Sequence, residues 1–237
     1  MVAHWKVKGK TYPQRQDAVQ WVEATLSPKM KNPPGTARRL DLSAEERAWR
    51  DEKNAERRLR RARRRMREKV RARELTRMGT LTYAENVQCR EQVKADFERF
   101  ARLMRRWLGQ KQFRYVAVTE RQKRGAWHIH FLTDRYLPQN TVARLWGHGW
   151  VSMNKVPHVN AACNYLVKYL AKGAADLSPH ENLYWCSNGL LDVLVEWCQE
   201  FEHYEDAVSL LFALVGAEGY YWQAEEEPYW YVNNFSQ

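Results

Sequence analysis

Residues 113–133 read FRYVAVTERQKRGAWHIHFLT. Two alternating runs rich in β-branched and aromatic residues flank a short basic turn that ends in glycine, so the stretch predicts an antiparallel hairpin. Side chains alternate across a strand, which puts His128 and His130 on one face and Trp127, Ile129 and Phe131 on the other. One face is apolar and suited to a core; the other carries two imidazoles. With RQKRG as a five-residue loop, Glu120 pairs with Ala126, Val118 with His128 and Val116 with His130. Glu120 then shares the histidine face, diagonal to His128. A loop shorter by one residue turns Glu120 to the Trp127 face, so the place of the carboxylate depends on register.

Two neutral imidazoles and a carboxylate suit a divalent cation with open positions, Mg²⁺ or Mn²⁺. Two half-buried histidines with ordinary hydrogen bonds give the same pattern, and the trio also describes non-haem iron oxygenases. The chemistry has to be decided elsewhere, and NYLVKYLAKG at 164–173 decides it. Tyr165 and Tyr169 are four apart and share a helical face. Lys168 and Lys172 follow each by three, so Tyr-x-x-Lys occurs twice. A phenol with a pKa of about 10 is a poor nucleophile at neutral pH. A neighbouring ammonium group stabilises the phenolate and the charge that develops as it attacks. Packing tyrosines with bonded hydroxyls are the plain alternative for either residue alone.

Working outward, GTLTY at 79–83 alternates as a strand. QVKADFERFARLMRRW places Val93, Phe97, Phe100, Ala101, Met104 and Trp107 on one helical face. PQNTVARLW reads as a short helix and GWVSMNKV as a strand. Asn160 is the expected N-cap of the tyrosine helix and Gly173 its end. A helix near 190–201 and an apolar helix near 205–215 follow, and GYYWQ with PYWYV forms a closing hairpin. Upstream, Ser43 and Glu46 make a capping box for a glycine- and proline-free helix of about 45 Å. Ala48, Ala55, Leu59, Ala62, Met66 and Val70 give it a narrow apolar stripe. The class is α+β with a mainly antiparallel sheet. The expected organisation is an N-terminal segment and KNPPGT linker over 1–42, the arginine-rich helix over 43–74, and one domain over 75–237.

The net charge is +11, and all 39 lysines and arginines lie within the first 172 residues, whereas 12 of the 28 acidic residues follow them. Such a field attracts polyanions, of which nucleic acid is the commonest. Arg121, Lys123 and Arg124, in the turn beside the histidines, are candidate DNA-binding residues, as is Thr82 in GTLTY. Trp127 and Tyr83 could stack on bases, with core packing the plainer reading. Four cysteines without CxxC spacing indicate free thiols. With no secretory signal and no membrane-length apolar run, the expected place is a reducing cytoplasm.

GTLTY, TERQKRGAWHIHFL and NYLVKYLAKG, in this order, resemble the three motifs of the HUH rolling-circle replication initiators, in particular the two-tyrosine replication proteins of single-stranded DNA phages and related plasmids. The likeness runs from about Leu75 onward and omits the arginine helix. It implies a five-stranded antiparallel sheet of the ferredoxin or RNA-recognition type. It also implies His128 and His130 as metal ligands with Glu120 as a third, Tyr165 and Tyr169 as alternating nucleophiles, and Lys168 and Lys172 beside them. The implied function is a metal-dependent nickase that cuts single-stranded DNA at an origin through a 5′-phosphotyrosine and later rejoins it. No GxxxxGK[ST] is present, so unwinding would fall to a host helicase and synthesis to a host polymerase. A tyrosine transposase with the same chemistry and a non-catalytic nucleic-acid-binding regulator on the same fold are the rival readings.

Overall fold

The structure is a computed structural model; it describes residues 5–12, 22–28, 43–109, 111–192, 194–216, 219–223 and 230–233. In chain order the elements are β1 (Trp5–Thr11), β2 (Val22–Pro28), α1 (Ala44–Ala72), β3 (Arg77–Thr82) and α2 (Arg90–Trp107). Then come β4 (Tyr115–Arg121), β5 (Trp127–Thr133), α3 (Gln139–Trp146), β6 (Val151–Lys155) and α4 (Val159–Ala174). The last are β7 (Trp185–Cys186), β8 (Val195–Phe201), α5 (Tyr204–Val215), β9 (Tyr220–Gln223) and β10 (Trp230–Asn233). The chain divides into two compact units, residues 42–191 and residues 1–41 with 192–237. The expected single domain over 75–237 is therefore not what forms: residues 192–237 group with the N-terminal segment, whose strands they pair with. The KNPPGT linker at 31–36 lies outside the described residues.

The 42–191 unit is an α+β fold on a five-stranded antiparallel sheet of order β6-β3-β5-β4-β7. From β3 to β6 the order is β-α-β-β-α-β, the ferredoxin-like pattern. One face is the apolar one read from the hairpin: Trp127, Ile129 and Phe131 are buried with Leu81, Phe97, Phe100, Val142 and Trp146, under α2 and α3. Trp107, expected on the same stripe, is exposed at the end of α2. Trp127 and Tyr83 are core residues, with Trp127 Nε1 donating to Gln88 O and the Tyr83 hydroxyl donating to Asp96 Oδ2 at 2.9 Å.

On the other face lie α4 and the second half of α1. Ser43 and Glu46 form the capping box (Ser43 N to Glu46 Oε2 2.8 Å; Glu46 N to Ser43 Oγ 3.2 Å). Of the α1 stripe, Met66 and Val70 are fully buried, Leu59 and Ala62 half-buried, and Ala48 and Ala55 exposed. The cap of α4 is His158, two residues before Asn160, whose Oδ1 accepts instead from Arg71 Nη2 at 3.3 Å.

Gly173 does not end α4. It is buried inside the helix, where a Cβ would run into the Thr119 carbonyl oxygen of β4. Only glycine permits that close approach of helix to strand backbone.

The second unit is a sheet of order β8-β1-β2-β10-β9 with α5 packed on it through Val7, Leu26, Ala207, Leu211 and Val232. The expected hairpin of GYYWQ and PYWYV forms as β9 and β10. The segment near 190–201 is a strand rather than a helix. Val195 to Phe201 pairs with β1, setting Glu200 opposite Lys6 and Glu196 opposite Lys10. The ammonium–carboxylate distances are 3.9 and 4.0 Å. Such surface pairs are individually weak. They nevertheless account for part of the acidic C-terminal charge: it faces a lysine-bearing strand of its own sheet. Among the described residues no helix is long and apolar enough to cross a membrane.

Candidate active site

The register of the hairpin differs from the expected one by two residues. Glu120 pairs with His128, Val118 with His130 and Val116 with Leu132, around a turn that begins at Gln122 and ends at Ala126. A slip of two keeps the parity, so Glu120 stays on the histidine face and moves from a diagonal position to one directly across from His128. On the other side of β5, Thr82 pairs with His128 and Thr80 with His130. Thr80, Thr82, Glu120, His128 and His130 thus share one surface of the sheet.

The tyrosine helix comes down onto this surface. The Tyr169 ring stacks on the His130 imidazole with centroids 3.7 Å apart and planes 21° from parallel. The Tyr169 hydroxyl donates to Tyr165 Oη at 2.9 Å, and the two rings lie 5.0 Å apart. Lys172 Nζ donates to Glu120 Oε1 at 2.8 Å and sits 5.6 Å from the Tyr169 ring centre. Lys168 is exposed and makes no contact of this kind among the described residues. The structure therefore brings Tyr165, Tyr169, Lys172, Glu120 and His130 into one connected group. Lys168 stays outside it.

Burial sets the protonation states. His130 is almost fully enclosed, and its pKa is pushed down to about 4 by burial against the opposing pull of Glu120. Burial lowers His128 as well, again opposed by Glu120. Both imidazoles are neutral at neutral pH and keep a lone pair for a ligand. Burial, and next the hydrogen bond to Tyr165, holds the Tyr169 phenol well above its ordinary value. Tyr165 is 39% exposed and receives the hydrogen bond rather than giving it.

His130 Nδ1 lies 3.1 Å from Thr80 Oγ1, and its Nε2 lies 3.3 Å from Glu120 Oε2. A hydroxyl can donate or accept, so Thr80 satisfies Nδ1 in either tautomer. No sequence signal marked Thr80; only its pairing opposite His130 reveals it. Among the described residues no three His, Cys, Asp or Glu side chains are closed into a metal-holding cluster. Both Glu120 oxygens are engaged, one by Lys172 and one by His130. On the same face as His130 and Glu120, His128 Nε2 is buried with no hydrogen-bond partner among the described residues, so its nitrogen is a donor atom open to a cation. Such orphaned ring nitrogens are uncommon in folded proteins.

Glu120, His128, His130, Tyr169 and Lys172 line an open cleft of about 680 Å³ together with residues 121–124. The four candidate DNA contacts differ in their placement. Arg121 is exposed, with its guanidinium 4.8 Å from the Trp127 ring centre. Lys123 is exposed and has no partner among the described residues. Arg124 is committed to the protein, donating to the Tyr83 and Ala84 carbonyls, so it ties the turn to the end of β3. Thr82 turns its hydroxyl inward, where it is buried without a hydrogen-bond partner among the described residues, beside the strand of His128.

No curated protein and no solved structure matches the chain. Residues 76–174, from the start of β3 to the end of α4, match the family model for the replication-associated protein ORF2. That span holds every residue of the site and stops short of α1, and its likeness to this family supports a role in initiating replication.

Proposed function

We propose that this protein is a site-specific nickase and strand transferase that starts rolling-circle replication on single-stranded DNA at an origin. The observation that supports the reading is the contact chain from His130 through Tyr169 to Tyr165, which leads from a cleft lined by His128, His130, Glu120, Tyr169 and Lys172 to the exposed phenol of Tyr165.

A phosphodiester entering the cleft meets one phenol oxygen, which forms a bond to phosphorus as the bond to O3′ breaks. The phenolic proton passes to solvent, and the departing O3′ takes one up to become a free 3′-hydroxyl that primes synthesis. The 5′ end stays on the tyrosine. The second tyrosine repeats the step on the regenerated junction, and the released 3′-hydroxyl attacks the first phosphotyrosine to close the circle. Lys172 places positive charge beside the phenols, and the exposed Arg121 and Lys123 hold flanking phosphates. His128, His130 and Glu120 would hold Mg²⁺ or Mn²⁺, which when bound supplies Lewis-acid polarisation of the phosphoryl oxygens. Unwinding and synthesis fall to a host helicase and polymerase.

The test is incubation with single-stranded origin oligonucleotides and Mn²⁺, followed by a denaturing gel. A covalent protein–DNA band that survives Tyr165→Phe or Tyr169→Phe alone, and disappears in the double variant, is expected. A band indifferent to both tyrosines ends the reading.

A further inference from the structure

The arginines of α1 fall into two sets. One set serves the protein: Arg58 donates to the Ser178 and Glu181 carbonyls, Arg65 to Glu68, Arg67 to Asn164 and Arg71 to Asn160. The other set, Arg50, Arg57, Arg60 and Arg61, is exposed and has no hydrogen bond or ion pair among the described residues. At about 100° per residue, these four lie within an arc of roughly 100° with Lys53 and Arg64. Leu59, Met66 and Val70, the apolar stripe, point to the opposite side of the helix. The acidic residues near the arc are already engaged: Glu46 in the cap, Glu56 by Lys53 at 3.1 Å and Glu68 by Arg64 and Arg65. Arg50, Arg57, Arg60 and Arg61 thus carry the unpaired positive charge of this face along about 17 Å of a rigid rod, while Lys53 and Arg64 on the same arc are paired with Glu56 and Glu68.

We infer that this arginine stripe is a docking surface for the phosphate backbone of duplex DNA. A duplex carries one negative charge about every 1.7 Å along its axis, and regularly spaced guanidinium groups on a straight helix can follow it. Surfaces that grip single strands interleave basic residues with stacking platforms. No aromatic ring stands between Arg50, Arg57, Arg60 and Arg61; the one exposed ring nearby, Trp49, borders the arc at its N-terminal end rather than interleaving with the four arginines. The rod is also fixed in relation to the tyrosines. Arg67 holds Asn164, the neighbour of Tyr165, at 3.3 Å, and Cys163 Sγ contacts the Arg67 carbonyl, so α1 and α4 are bound side by side. A duplex on the stripe would lie next to the helix that carries the phenols. The inference goes beyond the strand-cutting reading and rests on α1, which lies outside the span matched by the replication-associated family.

Fluorescence anisotropy on the full chain in EDTA tests it, with a short duplex of arbitrary sequence and a single strand of the same length. Three variants are compared with the parent: Arg57→Gln/Arg60→Gln/Arg61→Gln, the same three positions to Lys, and Arg99→Gln/Arg102→Gln/Arg106→Gln. The last removes equal charge from exposed positions on α2. The first variant is expected to weaken duplex binding roughly tenfold and to flatten log K against log salt by about one unit per arginine lost. The lysine and α2 variants are expected to stay within about twofold, since the first keeps the charge and the second removes it elsewhere. All lie on the surface, and circular dichroism confirms the fold. An α1 variant that binds and responds to salt like the parent overturns the inference. So does an α2 variant that loses as much, which means only a general field. Equal loss on the single strand also overturns it, because the stripe then tracks unpaired DNA. Binding is read without cleavage, so failure here and failure of the tyrosine reading are separate results.

Discussion

Tyr169 lies flat on His130, 3.7 Å between ring centres, and gives its hydroxyl proton to Tyr165. One tyrosine is therefore packed against the histidine face while the other stands at the solvent edge. The two phenols are chemically unequal although their sequence surroundings are nearly identical. Burial, and next the hydrogen bond it donates, opposes ionisation of Tyr169.

On the proposed reading, the exposed Tyr165 is expected to attack before the packed Tyr169. In the first cut, Tyr165→Phe is expected to slow formation of the covalent adduct by about tenfold or more, and Tyr169→Phe by less, since loss of one general hydrogen-bond donor is the smaller effect. Single-turnover cleavage of an origin oligonucleotide measures both rates. Equal slowing, or the reverse order, contradicts it.

Thr80 holds the far nitrogen of His130. Thr80→Val keeps the shape and removes the hydroxyl, leaving Nδ1 without a partner. Loss of such an orienting contact costs about 10- to 100-fold in metal affinity where the histidine is a ligand. Titration of Mn²⁺ by electron paramagnetic resonance reads the free ion directly. Unchanged affinity would show that His130 is not a ligand oriented through Thr80.

At Gly173 the helix backbone meets the Thr119 carbonyl. Gly173→Ala gains about 1 kcal/mol of helix propensity but forces a methyl group into backbone, an overpacking cost of about 1–3 kcal/mol or more. Net destabilisation in urea unfolding is expected, together with weaker covalent adduct formation as α4 is pushed off the histidine face. A variant more stable than the parent would mean that the close approach is easily relieved.

The buried neutral histidine makes the metal-free protein acid-sensitive. His130 binds its proton at about pH 4 in the folded chain and near 6.5 in the unfolded one, so between these values the unfolded chain takes up more protons. Its contribution is whole above pH 6.5 and is lost as pH falls to 4, on the order of 3 kcal/mol. Urea unfolding in EDTA at several pH values across that window, for the parent and for His130→Gln, isolates the term. Parallel pH profiles for the two proteins would refute it.

Several parts of the fold were legible because they depend on local periodicity. Alternation in AWHIHFLT put both histidines on one face, and the i, i+4 spacing put both tyrosines on another. Parity survived even though the register was wrong by two, since an even slip leaves every side chain on its own face. The segment near 190–201, in contrast, is expected as a helix, and Val195–Phe201 is instead a strand on the edge of β1, with lysines opposite its glutamates. The strands β1 and β2 carried too weak a pattern to be read at all; they pair with each other, but their outer edges are completed by β8 and β10 from the other end of the chain.

By itself the sequence determined which residues could face the same way: His128 with His130 and Glu120, and Tyr165 with Tyr169. Tertiary structure alone decided which of those faces meet, through a glycine that lets α4 touch β4, a threonine opposite His130, and a lysine that reaches Glu120 from 52 residues away. The physical reason is that side-chain direction follows from the geometry of the local backbone, whereas contact depends on packing between segments that no short stretch of sequence contains.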